Sequence, residues 1–153
     1  MMTGPDGLIA PWLEVVAPRT LVVIGPTLPL VENYQSTHAV DVVQLSPDPH
    51  ALTHHSMRYE AVLISQVIET EDDLVLPGIA RNQLAPQVFV LIRPAVIAPS
   101  ALFGLGYVRH SETHDREGPL LSFCYTLATY NHTRAWNNPK FWANPEQWNK
   151  HWW

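Results

Sequence analysis

Cysteine is nearly missing from this chain of 153 residues: Cys124 is the only one. One thiol cannot build an internal disulfide framework, so the fold must rest on an apolar core, and the chain is long enough to bury one. Charge is scarce as well, at 15% of residues against 46% hydrophobic. That balance describes a single globular domain with unusually apolar surfaces. Lys and Arg nowhere cluster and the net charge is −5, which leaves out the electrostatic footprint of a duplex-binding protein. No apolar run reaches the roughly 18 residues of a membrane span. The start, "MMTGPDGLIAPWLEVVAP", lacks the basic opening and long apolar stretch of a signal peptide. A cytoplasmic protein is expected, with no nucleic acid and no membrane as partner.

What is present alternates. "DGLIAPWLEVVA" spaces Leu8, Ile9, Trp12, Leu13 and Val16 as one helical face, with Asp6 placed to cap it. "TLVVI" (Thr20 to Ile24) is apolar on both faces and rich in β-branched residues, the signature of a central strand in a helix-covered parallel sheet. "LPLVENYQS" predicts a helix starting near Pro29. "AVDVVQL" predicts a second strand, and Ser46 is placed to cap a helix begun by Pro47. "YEAVLIS" reads as a third strand of the same apolar type. "TEDDLVLPGIARNQL" opens with Thr70 and Asp73 in capping-box register, with Pro77 and Gly78 predicting a break. "QVFVLI" is a fourth strand and "APSALFGL" a short helix. "GYVRHSE" and "LLSFCYTL" form a closing pair of strands around "DREGP". The expected fold is α/β: a Rossmann-like, doubly wound, mostly parallel sheet of about six strands with an antiparallel C-terminal hairpin.

Residues 131–153 differ in kind, and the domain is expected to occupy 1–130. "NPKFW" (Asn138 to Trp142) and "NPEQW" (Asn144 to Trp148) are near copies, each opening on an Asn-Pro turn signal. Trp136, Trp142, Trp148, Trp152 and Trp153 are five of the six tryptophans. Rings of that size are costly to leave in water. The Trp-rich tail is therefore expected to pack on the domain, on a second copy in a homodimer, or on a protein partner.

Several phrases in order carry a resemblance. "VVQLSPDPHAL", "YEAVLISQVIETEDD", "ARNQLAPQVFVLI" and "LFGLGYVRH" resemble, from roughly Leu21 to Leu127, the class I S-adenosylmethionine-dependent methyltransferase fold. The resemblance implies a second strand with its ribose-binding turn, a fourth strand and following loop with Glu60 at its start, a fifth strand, and a Gly-aromatic entry into the sixth. It also exposes departures. The family's first strand leads into a Gly-x-Gly-x-Gly turn whose glycines let backbone N–H groups approach the cofactor. Only Gly25 is present, and Pro26 and Pro29 each remove a donor. Gln44 stands at the ribose-carboxylate position, where it can hydrogen-bond but brings no charge, and Asp48 is a substitute from the turn. Between strand two and Tyr59 there is room for a helix but not for the family's third strand, which is expected to be missing.

Other constellations lead less far. His50 and His54, and again His110 and His114, are four apart, with His55 adjoining the first pair. Such spacing on a helix can share a metal, but the second pair falls near a predicted hairpin and no Glu follows the first His, so surface histidines are expected. "ETEDD" (Glu69 to Asp73) reads as a solvated helix start more readily than as a general base with acidic neighbours. Cys124 lies in a predicted strand, as a core thiol would.

A crevice at the carboxyl ends of the strands belongs to this topology with or without the glycine motif. The residues placed to line it as a cofactor-binding site are Gly25, Thr27, Gln44, Ser46, Asp48, Ser65, Gln66 and Glu69. No catalytic residue and no metal ligand are assigned. The expected function is a methyltransferase-like domain with a degraded S-adenosylmethionine site, holding no cofactor and acting as a non-catalytic binding or assembly module. The alternative is an atypical active methyltransferase, with Gly25, Gln44 and Asp48 on S-adenosylmethionine and Glu69 near the acceptor.

Overall fold

A computed structural model describes residues 5–55 and 57–127. The element order is α1 (Pro5–Val16), β1 (Thr20–Ile24), α2 (Pro29–Thr37), β2 (Asp41–Leu45), α3 (Pro49–Thr53), β3 (Ala61–Ile64), α4 (Val75–Ile79), β4 (Gln87–Ile92), α5 (Pro99–Phe103), β5 (Val108–Asp115) and β6 (Gly118–Thr126). A 3-10 turn (Glu71–Leu74) leads into α4 and a π turn (Ala80–Leu84) leads out of it. The expected fold class holds. The six strands form one sheet in the order β2-β1-β3-β4-β6-β5, with β2, β1, β3 and β4 parallel and β6 running antiparallel to both of its neighbours, β4 and β5. The Trp-rich tail and its proposed boundary lie outside the described residues.

The continuous apolar strands follow from burial on both faces. Leu21, Val23, Leu63 and Phe89 point to one side, under Leu8, Ile9, Trp12 and Leu13 of α1 and Val31 and Tyr34 of α2. Val22, Ile24, Ile64 and Val90 point to the other, under Leu52 of α3, Leu76 and Ile79 of α4 and Leu102 of α5. These are the two helical layers of a doubly wound domain. Trp12 packs against Phe89, with ring centroids 5.1 Å apart.

Beyond β2 lies no further strand among the described residues. Asp41–Leu45 is an edge, and Val42 and Val43 are only half-buried. The opposite edge, β5, carries Arg109, His110, Glu112 and His114 and a register shift between Arg109 and Ser111. Charges and a bulge of this kind keep a strand edge from pairing with other chains.

Three local expectations are corrected. Asp6 lies inside α1, one residue after its start, so it is an acidic first-turn residue and not the cap. The cap before the third helix is Asp48, not Ser46: its carboxylate accepts the His50 N–H (3.2 Å) and Pro49, which has no N–H to satisfy, opens the helix. Thr70 precedes the 3-10 turn without a side-chain cap bond, and Pro77 with Gly78 does not break the helical stretch. Pro77 falls in the first turn of α4, where a missing N–H costs little. Its carbonyl accepts the hydroxyl of buried Tyr107 (2.8 Å).

Candidate functional site

In an open parallel sheet the ligand crevice opens where the chain turns from one side of the first strand to the other. Here that point lies between the carboxyl ends of β1 and β3. Register places Ile24 beside Ile64, so the residues that follow, Gly25 and Ser65, meet at the mouth of the crevice.

Their contact is tight. Gly25 has φ +115°, and a Cβ there would lie 2.9 Å from Ser65 Oγ and 3.1 Å from the Gln66 backbone nitrogen. Glycine is thus required both by backbone conformation and by the approach of the β3 loop. The two loops are also hydrogen-bonded to each other. The Ser65 N–H donates to the Ile24 carbonyl (3.0 Å), and its hydroxyl donates to the Pro26 carbonyl (2.7 Å). From the other side, Gln44 Nε2 donates to the Gly25 carbonyl (2.9 Å), and the Gly25 N–H reaches the Leu45 carbonyl (3.3 Å). Past Gln66 the chain folds back onto the sheet, where the Ile68 N–H donates to the Leu91 carbonyl (2.8 Å).

Four of the eight candidate residues, Gly25, Gln44, Ser65 and Gln66, are therefore brought together. Gln66 extends towards Asp73 (3.4 Å). Thr27 and Ser46 lie exposed on the loops after β1 and β2, and Asp48 is engaged as the cap of α3. Glu69 is drawn elsewhere, into an ion cluster around Arg93. The guanidinium, 10% exposed, meets Glu69 (3.2 Å), Asp115 (2.9 Å from Nη1 to Oδ1) and Glu117 (3.1 Å). Hydrogen bonding from Arg93 holds the Asp115 carboxyl below its usual pKa, and the Asp115 hydrogen bond does most to raise that of Arg93.

No local sequence pattern marks Arg93, because its partners come from the β3 loop and the tip of the β5–β6 hairpin. The one signal is a single cation directly after the apolar strand "QVFVLI". Glu32 lies in the first turn of α2. A carboxylate there opposes binding of an anion at that helix end. The Val31 and Glu32 N–H groups both go to the Leu28 carbonyl (3.0 and 3.2 Å).

The remaining chemistry-bearing groups are spread out. His50 and His54 face each other with ring centroids 4.5 Å apart, while His110 and His114 lie on β5. Among the described residues no three His, Cys, Asp or Glu side chains gather as metal ligands, and no helix is long and apolar enough to cross a membrane. Cys124 is buried on β6, and burial pushes its thiol up to about 12, so it stays protonated at neutral pH.

Comparison with known proteins agrees with this geometry. A family model described as a family of unknown function (DUF6231) matches residues 4–153. No curated protein matches the chain. Among solved structures, a TehB-like SAM-dependent methyltransferase from Corynebacterium glutamicum superposes with a TM-score of 0.54 at 11% identity, over 82% of this chain and 88% of that one. The crystal structure of EvdMO1 superposes with a TM-score of 0.51 at 13% identity, over 86% of this chain and 43% of that one. At such identities the likeness is one of fold, and the fold is the methyltransferase-like one that the sequence order resembles.

Proposed function

This chain belongs to the DUF6231 family, a family of unknown function, and from that premise we propose that it is a methyltransferase-like domain with a degraded S-adenosylmethionine site, serving as a non-catalytic binding or assembly module. The observation that carries the reading is the stitching of the β1 and β3 loops at the crevice mouth. Gln44, at the ribose position, donates its amide to the Gly25 carbonyl, and Ser65 donates its hydroxyl to the Pro26 carbonyl. Donors that a nucleoside would need are engaged within the protein itself. The close approach that glycine permits at residue 25 is filled by Ser65 and Gln66 and not left for a ligand.

The donor set is poor for this cofactor in other ways. Pro26 and Pro29 have no N–H, Asp48 is held as a helix cap, and Glu32 sets a negative charge where a carboxylate group would approach α2. Each missing hydrogen bond to a buried polar group costs roughly 1–3 kcal/mol. The loss of several together removes orders of magnitude in affinity. The residues present therefore do not fit S-adenosylmethionine in the usual pose, and no methyl-transfer step is derived through it. Binding and assembly fall instead to the aromatic tail after residue 130.

Titration calorimetry with S-adenosylmethionine and S-adenosylhomocysteine tests the reading. No heat of binding up to millimolar ligand is expected. Micromolar binding of either would overturn it in favour of an active, atypical methyltransferase.

A further inference from the structure

Helices α1 and α2 leave between them a groove of about 230 Å3, lined by Leu13 and Leu30, by Glu14, and by the stacked rings of Tyr34 and His38, whose centroids are 4.0 Å apart. Tyr34 spends its hydroxyl on the Leu13 carbonyl (3.3 Å). Burial raises the pKa of that phenol, and the neighbouring Glu14 carboxylate adds to the rise. Apolar walls, an aromatic face and one carboxylate suit an indole, whose ring needs burial and whose N–H needs an acceptor.

The chain itself carries a matching occupant. Residues 1–127 hold six Lys and Arg against thirteen Asp and Glu, whereas residues 128–153 hold three against one, so a body of net charge −7 is tethered to a tail of +2. Both lysines of the protein, Lys140 and Lys150, lie in that tail. Its two repeats differ where charge matters: "NPKFW" has Lys140 at its third position and "NPEQW" has Glu146. Beside Glu14, the first is attracted and the second repelled.

The tether reaches. Strand β6 ends at Thr126, and the Leu127 N–H donates to the Pro86 carbonyl, beside the start of β4. Helices α1 and α2 each end just before the start of a parallel strand, so their last turns lie at this same end of the sheet. Three strand steps separate β6 from β1, roughly 15 Å. The ten residues 128–137 span up to roughly 33 Å. A tether of ten residues supplies an effective concentration in the millimolar range, so even a weak groove would be substantially filled.

We propose that the Asn138–Trp142 segment folds back into the α1–α2 groove of its own chain, with the Trp142 ring inside and Lys140 beside Glu14. This rests on reading the tail as the chain's binding element and not on the state of the cofactor crevice, which calorimetry tests separately. The experiment uses full-length protein labelled with 5-fluorotryptophan, with the Trp142 fluorine resonance identified by its loss in Trp142→Phe. Trp12, buried against Phe89, reports in every variant that the domain remains folded. The Trp142 resonance is expected away from the position of a solvent-exposed fluorotryptophan. Glu14→Lys and Asn33→Arg, both at exposed positions on the groove, should each move it to that exposed position. Combining Glu14→Lys with Lys140→Glu should bring it back. The proposal is overturned if the resonance is at the exposed position from the start, if it ignores both groove variants, or if its shift disappears on dilution, which would assign the groove to a second copy.

Discussion

The carboxyl ends of the strands are finished in two ways. At β1, β2 and β3 the loops are joined by neutral hydrogen bonds from Gln44 and Ser65 to backbone carbonyls. At β4 and the β5–β6 hairpin they are joined by Arg93, set among Glu69, Asp115 and Glu117. The first kind depends on close backbone approach and is indifferent to salt and to pH near neutrality. The second depends on ionised groups and is open to both. The polar groups at these loop ends have to be satisfied, and this chain does so with whichever side chains lie nearest.

The largest effect should come from breaking the neutral side at its tightest point. Gly25→Ala combines a φ of +115° with a Cβ forced against Ser65 and the Gln66 backbone. It should cost about 3 kcal/mol, read as a lower urea midpoint at unchanged slope. Breaking the ionic side comes next. Arg93→Met takes the guanidinium from Asp115, Glu69 and Glu117 and should lower the urea midpoint by less than Gly25→Ala does, because Glu69 and Glu117 are half or more open to water. The same variant should flatten the acid limb of stability. The folded pKa of Asp115 is depressed, so its contribution is present above the unfolded carboxylate value of about 3.9 and lost as pH falls through the lower folded value. Urea midpoints at successive pH values between neutrality and pH 2 should therefore converge for the two proteins. The smallest effect sharpens the contrast: Ser65→Ala should cost about 1 kcal/mol by the same amount at low and high salt. A cost that shrank with salt would show that the β1–β3 junction is not neutral after all.

The strands were legible because a strand buried on both faces must be apolar at nearly every position, as Leu21 to Ile24 and Gln87 to Ile92 are. Their alternation with short helices made the doubly wound, mostly parallel class readable, and the short span from Leu45 to Tyr59 left no room for a further strand there. Helix starts were less legible, since Ser46, Asp48, Pro47 and Pro49 all offer the same chemistry within four residues and only the path of the turn selects Asp48 and Pro49. The candidate site was half legible. Gly25 announces itself as the residue after an apolar strand, but the roles of Gln44 and Ser65 depend on parallel register, which sets Gln44 opposite Val23 and carries Ser65 alongside Gly25. Arg93 and its carboxylates are 22 and 24 residues apart in sequence, a separation that no local pattern encodes.

The bare outer strand β2 has a consequence of its own. With Val42 and Val43 half-covered and β1 its only strand neighbour among the described residues, no described strand shields the backbone amides on its outer side. Deuterium should enter there long before it enters β3 or β4, which are flanked on both sides. Opening at this margin would take Gln44, and with it the clamp on Gly25, away from the crevice.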